Sequence, residues 1–444
     1  MSDEPTSRPR GSTVLCWLLI LASIGWVAGN VFVQRRAGLG KADNFQLELN
    51  SRILIGQKLL LKDLGQPVQP VDQMLRTLDA AATSPEQKLE AAIVAGELAG
   101  GEEALKRLES RRSDATTKPS SDAEQTLEKM YSGQLASVTP EERRALIEHH
   151  GWFGKLALVY GLPDNDPERA RIISPTKRTL LIITGFGLSV LVLVGAGLIL
   201  LIVAIVLIAN GRIRPLFRPN VMPNGPPVFL EAFAIYITTF VVFSEVIHRV
   251  FPRGGFVGYL FLSLLIPFAL IWPTRRGLSK QESLHAFGWH CGRGFFTEMG
   301  CGVAGYIAGL PLIALAFLIT LGLSRFAGAS PSHPIMNEVR GGWGTVLMIY
   351  MLASVWAPLM EETMFRGALY NHLRGRWSWI VSSLVIGLLF ALVHPQGWTT
   401  IPALGMIGVV LATIREWRGS LIGPMTAHAL NNATVTTLLV FLVH

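Results

Sequence analysis

Charge is scarce in this chain of 444 residues: Asp, Glu, Lys and Arg together make up 16% of it, while half of the residues are hydrophobic. Soluble domains carry roughly a quarter charged residues, and here the shortfall is concentrated in unbroken apolar runs. Leu180 to Ile208 holds 29 residues without one ionisable side chain. As a helix rising ~1.5 Å per residue this run extends roughly 44 Å, more than the ~30 Å hydrocarbon core of a bilayer. A soluble or disordered protein is excluded. Cysteine is scarcer still. Cys16, Cys291 and Cys301, all in or beside apolar stretches, cannot build a disulfide framework or a four-thiolate zinc module. The net charge of +8 does not indicate nucleic acid, because the basic residues cluster at the ends of apolar runs, as membrane topology requires.

Nine runs are long enough to cross a bilayer, near residues 13–33, 179–209, 228–247, 255–273, 296–323, 343–370, 377–394, 400–416 and 420–443. Irregular backbone cannot face lipid. The expected fold is therefore all-α and polytopic, with about nine transmembrane helices and a helical polar insert between the first two. Val14 to Val33 is longer than a signal-peptide core and lacks a small-x-small cleavage site, so it reads as an uncleaved signal anchor. Orientation follows from Lys and Arg in the short loops. Thirteen fall on the side of the N-terminus: Arg8, Arg10, Arg212, Arg214, Arg218, Arg275, Arg276, Lys280, Arg293, Arg374, Arg376, Arg415 and Arg418. The opposite side has four, Arg249, Arg253, Arg325 and Arg340. The expectation is a cytoplasmic N-terminus in a bacterial plasma membrane. Four parts follow: an anchor (1–34), a polar insert (35–178), accessory spans (179–335) and a catalytic core (336–444).

The insert is rich in Ala, Glu, Lys and Arg. Ser84-Pro85-Glu86-Gln87 and Thr139-Pro140-Glu141-Glu142 both read as a capping residue, a proline at the first helical position and a capping partner at the third. Arg112 to Asp122 reads as a linker. A small bundle of amphipathic helices is expected, with His149 and His150 on a solvated surface rather than at a metal. The insert carries no recognisable chemistry, which leaves it as a candidate surface for a protein partner.

Ionised groups at bilayer depth cost several kcal/mol and are functional candidates by default. They concentrate in the last quarter: Glu361, Glu362 and Arg366 in one run, His394 at the end of the next, and His428, Asn431 and Asn432 in the last. Glu362 and Arg366, four apart, share a helix face and can neutralise each other. Glu361 lies about 100° away around the helix, free to act as a desolvated base. His428 and Asn432 are again four apart. If the first turn lies at Leu373–Trp377, Glu361 is 12 residues before it and His394 is 17 after it, roughly 18 and 26 Å. His428 lies nine residues from the Gly419 turn, roughly 14 Å. A carboxylate, two imidazoles and an amide can meet at one buried locus. Such a set can activate water and stabilise an oxyanion, or ligate a divalent metal. Singly, each cluster reads as structural glue; three on successive spans read as a site.

These residues form EExxxR (Glu361 to Arg366), FxxxH (Phe390 to His394) and HxxxN (His428 to Asn432). In this order, and with Arg418-Gly-Ser-Leu-Ile-Gly-Pro424 before the last, the chain over about 340–444 resembles the CPBP (CAAX protease and bacteriocin-processing, or Abi) family of intramembrane endopeptidases. The resemblance implies proteolysis within the membrane of a membrane-associated protein or peptide. Glu361 would be the base, helped by His394. His428 and Asn432 would bind the oxyanion or a metal, and Glu362 with Arg366 would hold the architecture. A divalent metal, zinc, would be held by Glu361, His394 and His428. The HExxH zincin pattern is absent. The first two spans and the insert lie outside the family pattern. A non-catalytic scaffold or immunity-type factor, and a proton-coupled transporter using the same carboxylates, are the alternatives. Outside this quarter, Glu245 beside His248 and Arg249 reads as an interfacial pair, and His285, His290 and Cys291 as an interfacial surface segment. Gly185, Gly187, Gly195 and Gly197 suggest close helix packing.

Overall fold

A computed structural model describes residues 10–36, 44–67, 70–113, 122–220, 227–250, 266–327, 339 and 341–443. Most of the expected span near 255–273, most of the linker 112–122, and Arg8, Arg253 and Arg340 lie outside these. Every regular element among the described residues is helical. The chain divides into two compact units, Gly40–Ser189 and a membrane unit of Met1–Leu39 with Val190–Val443.

The first unit contains α2 (Asn44–Asp63), α3 (Val71–Ala81), α4 (Pro85–Ala99), α5 (Gly101–Ser113), α6 (Asp122–Tyr131) and α7 (Pro140–Leu158). Both expected capping boxes form. Ser84 and Thr139 accept from the backbone N–H of Gln87 and Glu142, whose side chains reach back to the cap. The core is aliphatic, with Leu47, Ile55, Leu78, Ile93, Leu108 and Leu127 almost fully buried. The histidine pair departs from expectation. His149 is exposed, but His150 is buried and its Nδ1 lies 3.4 Å from Oε1 of the fully buried Glu90. The physical reason is the ~100° step between neighbouring residues of a helix, which turns one ring to water and the other to the core; the helix then kinks at Gly151 (φ +54°). Burial pushes the Glu90 carboxyl above its ordinary value.

The membrane unit contains α1 (Arg10–Arg36), the later part of α8 (Pro167–Ala209), α9 (Val228–Val250), α10 (Ile266–Arg275), α11 (Lys280–Phe287) and α12 (Phe295–Phe326). It ends with α13 (Trp343–Arg374), α14 (Trp379–Leu392), α15 (Ile401–Arg418) and α16 (Ile422–Val443). Among the described residues, seven helices are long and apolar enough to cross a membrane, and they coincide with seven of the nine expected spans. The eighth, α14, has only 14 residues and rises roughly 21 Å, short of a ~30 Å core. Large apolar side chains such as Leu191, Val192, Phe317 and Leu318 stay exposed, as lipid contact requires. The chain is an integral membrane protein.

Small residues set the helix crossings. A Cβ on Gly387 of α14 would lie 2.5 Å from the Gly405 carbonyl oxygen of α15, and one on Gly408 would lie 2.7 Å from the Gly387 Cα. Backbones this close need glycine. The four glycines singled out in the second span divide. Gly197 packs against Ile307, whose carbonyl oxygen would be 2.1 Å from an added Cβ, whereas Gly185, Gly187 and Gly195 face open space.

The basic loops gather at one end of this unit. Leu216 and Phe217 N–H donate to the Trp417 and Glu416 carbonyls, Asn371 bridges Asn220 N–H and the Ala286 carbonyl, and Leu421 N–H donates to the Gly288 carbonyl. Two of the thirteen basic residues are not loop charges at all. Arg415 is buried and donates to the carbonyls of Arg366, Ala286 and Phe287. Arg418 makes two hydrogen bonds of 2.8 and 2.7 Å to Glu298, which is fully buried.

Candidate active site

The site grows from a distortion of α13. Its first half contains a wide π-helical turn at Leu352–Trp356, in which Ala357 N–H donates to the Leu352 carbonyl, five residues back. Pro358 follows and has no N–H to give. The Ala353 carbonyl therefore loses both of its regular helical donors, and Asn432 of α16 supplies the replacement from Nδ2 at 2.7 Å. A second π-helical turn covers Glu362–Leu369. Glu361 sits between the two wide turns. Such turns mark functional positions in helices.

Three of the residues singled out in the sequence meet here. Glu361 Oε2 lies 4.0 Å from His394 Nε2 and 3.9 Å from His428 Nε2. The tautomers follow from the other ring nitrogens. His394 Nδ1 lies 2.6 Å from the Phe390 carbonyl, which can only accept, so Nδ1 donates and Nε2 carries a lone pair. His428 Nδ1 donates to Glu362 Oε1 at 2.9 Å, which again leaves Nε2 as an acceptor. Two imidazole acceptors thus each lie about 4 Å from one carboxylate oxygen. Glu361 Oε2 is buried and without a hydrogen-bond partner. Each of these two separations is what one water spans with two ~2.7 Å hydrogen bonds meeting near a right angle. Two imidazole nitrogens and a carboxylate oxygen are also the donor set that a divalent ion such as zinc accepts.

Glu362 and Arg366 lie behind this point, both fully buried. Arg366 Nη1 donates to Glu362 Oε1 at 2.9 Å and Nη2 to the Gly408 carbonyl at 2.9 Å. Glu362 therefore neutralises Arg366 and also fixes the His428 ring, an orienting role that the i, i+4 spacing did not reveal. Phe390 fills the middle. Its ring centroid is 4.4 Å from that of His394 and 5.9 Å from that of His428, with the Arg366 guanidinium 4.7 Å above it. Asn432 stands one turn beyond His428. Its Oδ1 accepts from Asn431 Nδ2 at 3.1 Å, and Asn431 Oδ1 accepts from the Tyr306 hydroxyl at 3.0 Å.

Other carboxylates and histidines of the membrane unit are bound into structure. Glu231 accepts from Trp272 Nε1 and Arg276, and Glu245 pairs with Arg249. His285 and His290 stack with ring centroids 4.6 Å apart, and His290 Nε2 donates to the Gly419 carbonyl at 3.1 Å. Neither Tyr306 nor Arg415 is marked by the sequence as a contributor to the architecture around the site. Tyr306 lies 125 residues from its partner, beyond any spacing rule. Arg415 was counted only as a loop charge.

Residues 343–434 match the family described as type II CAAX prenyl endopeptidase Rce1-like. The chain is 31% identical over 106 residues, 22% of its length, to an uncharacterized 24.3 kDa protein of Escherichia coli. It spans about half of that curated relative (49%). No solved structure matches. The matched segment begins at the first residue of α13 and extends past Asn432, so it contains Glu361, Glu362, Arg366, His394, His428 and Asn432. Over this segment the membrane protein is similar to the CAAX-protease (CPBP) family.

Proposed function

We propose that the chain is an intramembrane endopeptidase in which Glu361 activates a water held between Glu361, His394 and His428. The observation that carries this reading is a buried carboxylate oxygen, Glu361 Oε2, with one imidazole nitrogen 4.0 Å and another 3.9 Å away. Water is a neutral molecule that can donate to two acceptors at once, and a carboxylate is the acceptor best suited to remove its proton. The water oxygen bonds to the scissile carbonyl carbon as its proton passes to Glu361 Oε2. The C–N bond then breaks and Glu361 returns that proton to the leaving nitrogen. With one O–H directed at Glu361, the water's second O–H donates to the Nε2 of one of the two imidazoles, His394 or His428, the latter oriented by Glu362. The second amide hydrogen of Asn432 would donate to the oxyanion. A divalent ion, when bound, would be held by Glu361, His394 and His428 and would polarise water and carbonyl as a Lewis acid.

The substrate in this reading is a membrane-associated protein or peptide, prenylated tails included, since the matched family is described by its prenyl endopeptidase activity. The basic loops gathered at one end support a cytoplasmic N-terminus in a bacterial plasma membrane. The insert is free to recruit a protein partner.

The test compares peptide termini in membranes of cells producing the wild type or Glu361→Gln at equal levels. A product that falls at least ~100-fold in the variant is expected from loss of a general base. Identical termini in both would end the proposal.

A further inference from the structure

We infer that Tyr306, on α12 and outside the family-matched segment, is a positioning residue that sets the direction of the Asn432 amide. This rests on the endopeptidase reading for its catalytic consequence, but not for its geometry. The chain of hydrogen bonds runs one way. The Tyr306 hydroxyl donates to Asn431 Oδ1 at 3.0 Å, Asn431 Nδ2 donates to Asn432 Oδ1 at 3.1 Å, and Asn432 Nδ2 donates to the Ala353 carbonyl at 2.7 Å. An amide side chain is nearly symmetric in shape, so only its partners decide which end is oxygen. A carbonyl closes this chain at one end and can only accept. Tyr306 opens it at the other. Its hydroxyl holds Asn431 with the oxygen toward α12, and the Asn431 nitrogen is thereby aimed at Asn432. Without the hydroxyl, Asn431 can turn over and present its oxygen to Asn432 Oδ1, two acceptors face to face. Asn432 must then give up either that contact or the Ala353 carbonyl. The free hydrogen of its NH2 group, which the mechanism uses, loses its fixed direction.

Neighbouring Tyr350 provides the control. It lies on α13, and its hydroxyl donates to Thr437 Oγ1 at 2.6 Å, outside this chain. Removing either hydroxyl costs one hydrogen bond between helices, so an effect limited to Tyr306→Phe is not a general loss of packing.

The experiment uses the full chain in lipid nanodiscs, and its first readout does not depend on activity. With 15N-labelled asparagine, the side-chain NH2 cross-peaks that vanish in Asn432→Ala belong to that residue. They are expected to shift and broaden in Tyr306→Phe and to stay in place in Tyr350→Phe. Unchanged Asn432 peaks in Tyr306→Phe would overturn the inference whatever the activity. The second readout is kinetic, on the membrane peptide whose cleavage depends on Glu361. Tyr306→Phe is expected to lower kcat about three- to tenfold with KM unchanged, the scale of one neutral hydrogen bond. In an Asn432→Ala background the same substitution is expected to add nothing, because its route is already cut. An equal loss in both backgrounds would show that Tyr306 acts by itself and would also overturn the inference. Absence of Glu361-dependent cleavage in the wild type would overturn the endopeptidase reading alone, with the NH2 readout still deciding the role of Tyr306.

Discussion

One carboxylate oxygen, Glu362 Oε1, lies 2.9 Å from Arg366 Nη1 and 2.9 Å from His428 Nδ1. A fully buried anion is thus shared between a guanidinium that neutralises it and an imidazole that it orients. Metal-site and catalytic histidines are commonly held this way, by a carboxylate on the nitrogen that does not react.

Removing that charge should damage catalysis and stability together. Glu362→Gln keeps the volume but leaves Arg366 without its anion in a water-free interior, which costs about 3–5 kcal/mol when a buried pair is broken. The His428 tautomer is then no longer imposed. The expected outcome is a lower thermal midpoint and a fall in kcat of ~10–100-fold. Arg366→Lys should be milder in charge but still damaging. A single ammonium cannot reach Glu362 and the Gly408 carbonyl as the two-pronged guanidinium does. Calorimetry and cleavage rate on the same preparations check both.

At Asn432 the order of severity is the test. Asn432→Ala leaves the Ala353 carbonyl with neither helical donor nor replacement, a cost of about 1–3 kcal/mol. Asn432→Asp, closer in shape, should be worse, because an ionised carboxylate would set a negative oxygen against that carbonyl. Thermal unfolding of the two variants should rank aspartate below alanine. The reverse order would mean that the amide does not serve the wide turn.

The carboxylates and imidazoles of this site were legible because charge inside an apolar run stands out and because their spacings repeat a family pattern. Their second partners were not. The i, i+4 rule joined Glu362 to Arg366 within one helix but is silent about His428, 66 residues away. Regular α-helix was expected throughout α13, although Pro358 carried the signal for a break: a missing N–H frees a carbonyl that something else must satisfy. Asn432 became its donor through tertiary packing. The reading of Arg415 as a loop charge failed for a related reason. Its distance from the chain turn is short, but three backbone carbonyls around it make burial tolerable. The short α14 was assigned a full span because Val393 and His394 extend its apolar run without extending its helix.

At the basic end of the unit, pH should weaken the fold through His290. Burial holds its imidazole below the ordinary value, with the His285 and Arg415 charges acting in the same direction and Glu298 and the Gly419 carbonyl opposing. The folded protein therefore keeps His290 neutral where the unfolded chain takes up a proton. The stability from this neutral form is complete above about pH 6.5 and declines as pH falls toward the lowered folded value. The thermal midpoint at pH 5.5 should lie below that at pH 7.5. His290→Gln, which retains an N–H for the Gly419 carbonyl, should show a smaller difference between the two pH values.

The crossing of α14 and α15 separates two glycines that look alike in sequence. An added methyl at Gly387 would lie 2.5 Å from the Gly405 carbonyl oxygen and 2.8 Å from a Val409 methyl, so the helices must move apart. An added methyl at Gly405 meets nothing closer than 3.7 Å. Gly405→Ala should be neutral or stabilising, since alanine is favoured over glycine in a helix by about 1 kcal/mol. Gly387→Ala should destabilise by about 1–3 kcal/mol, the usual cost of overpacking. It should also slow cleavage, because α14 ends beside His394 and α15 carries the Gly408 carbonyl that anchors Arg366. Thermal unfolding and cleavage rates of the two alanine variants decide the matter. Equal behaviour would show that this close backbone contact does not hold His394 and Arg366 in register.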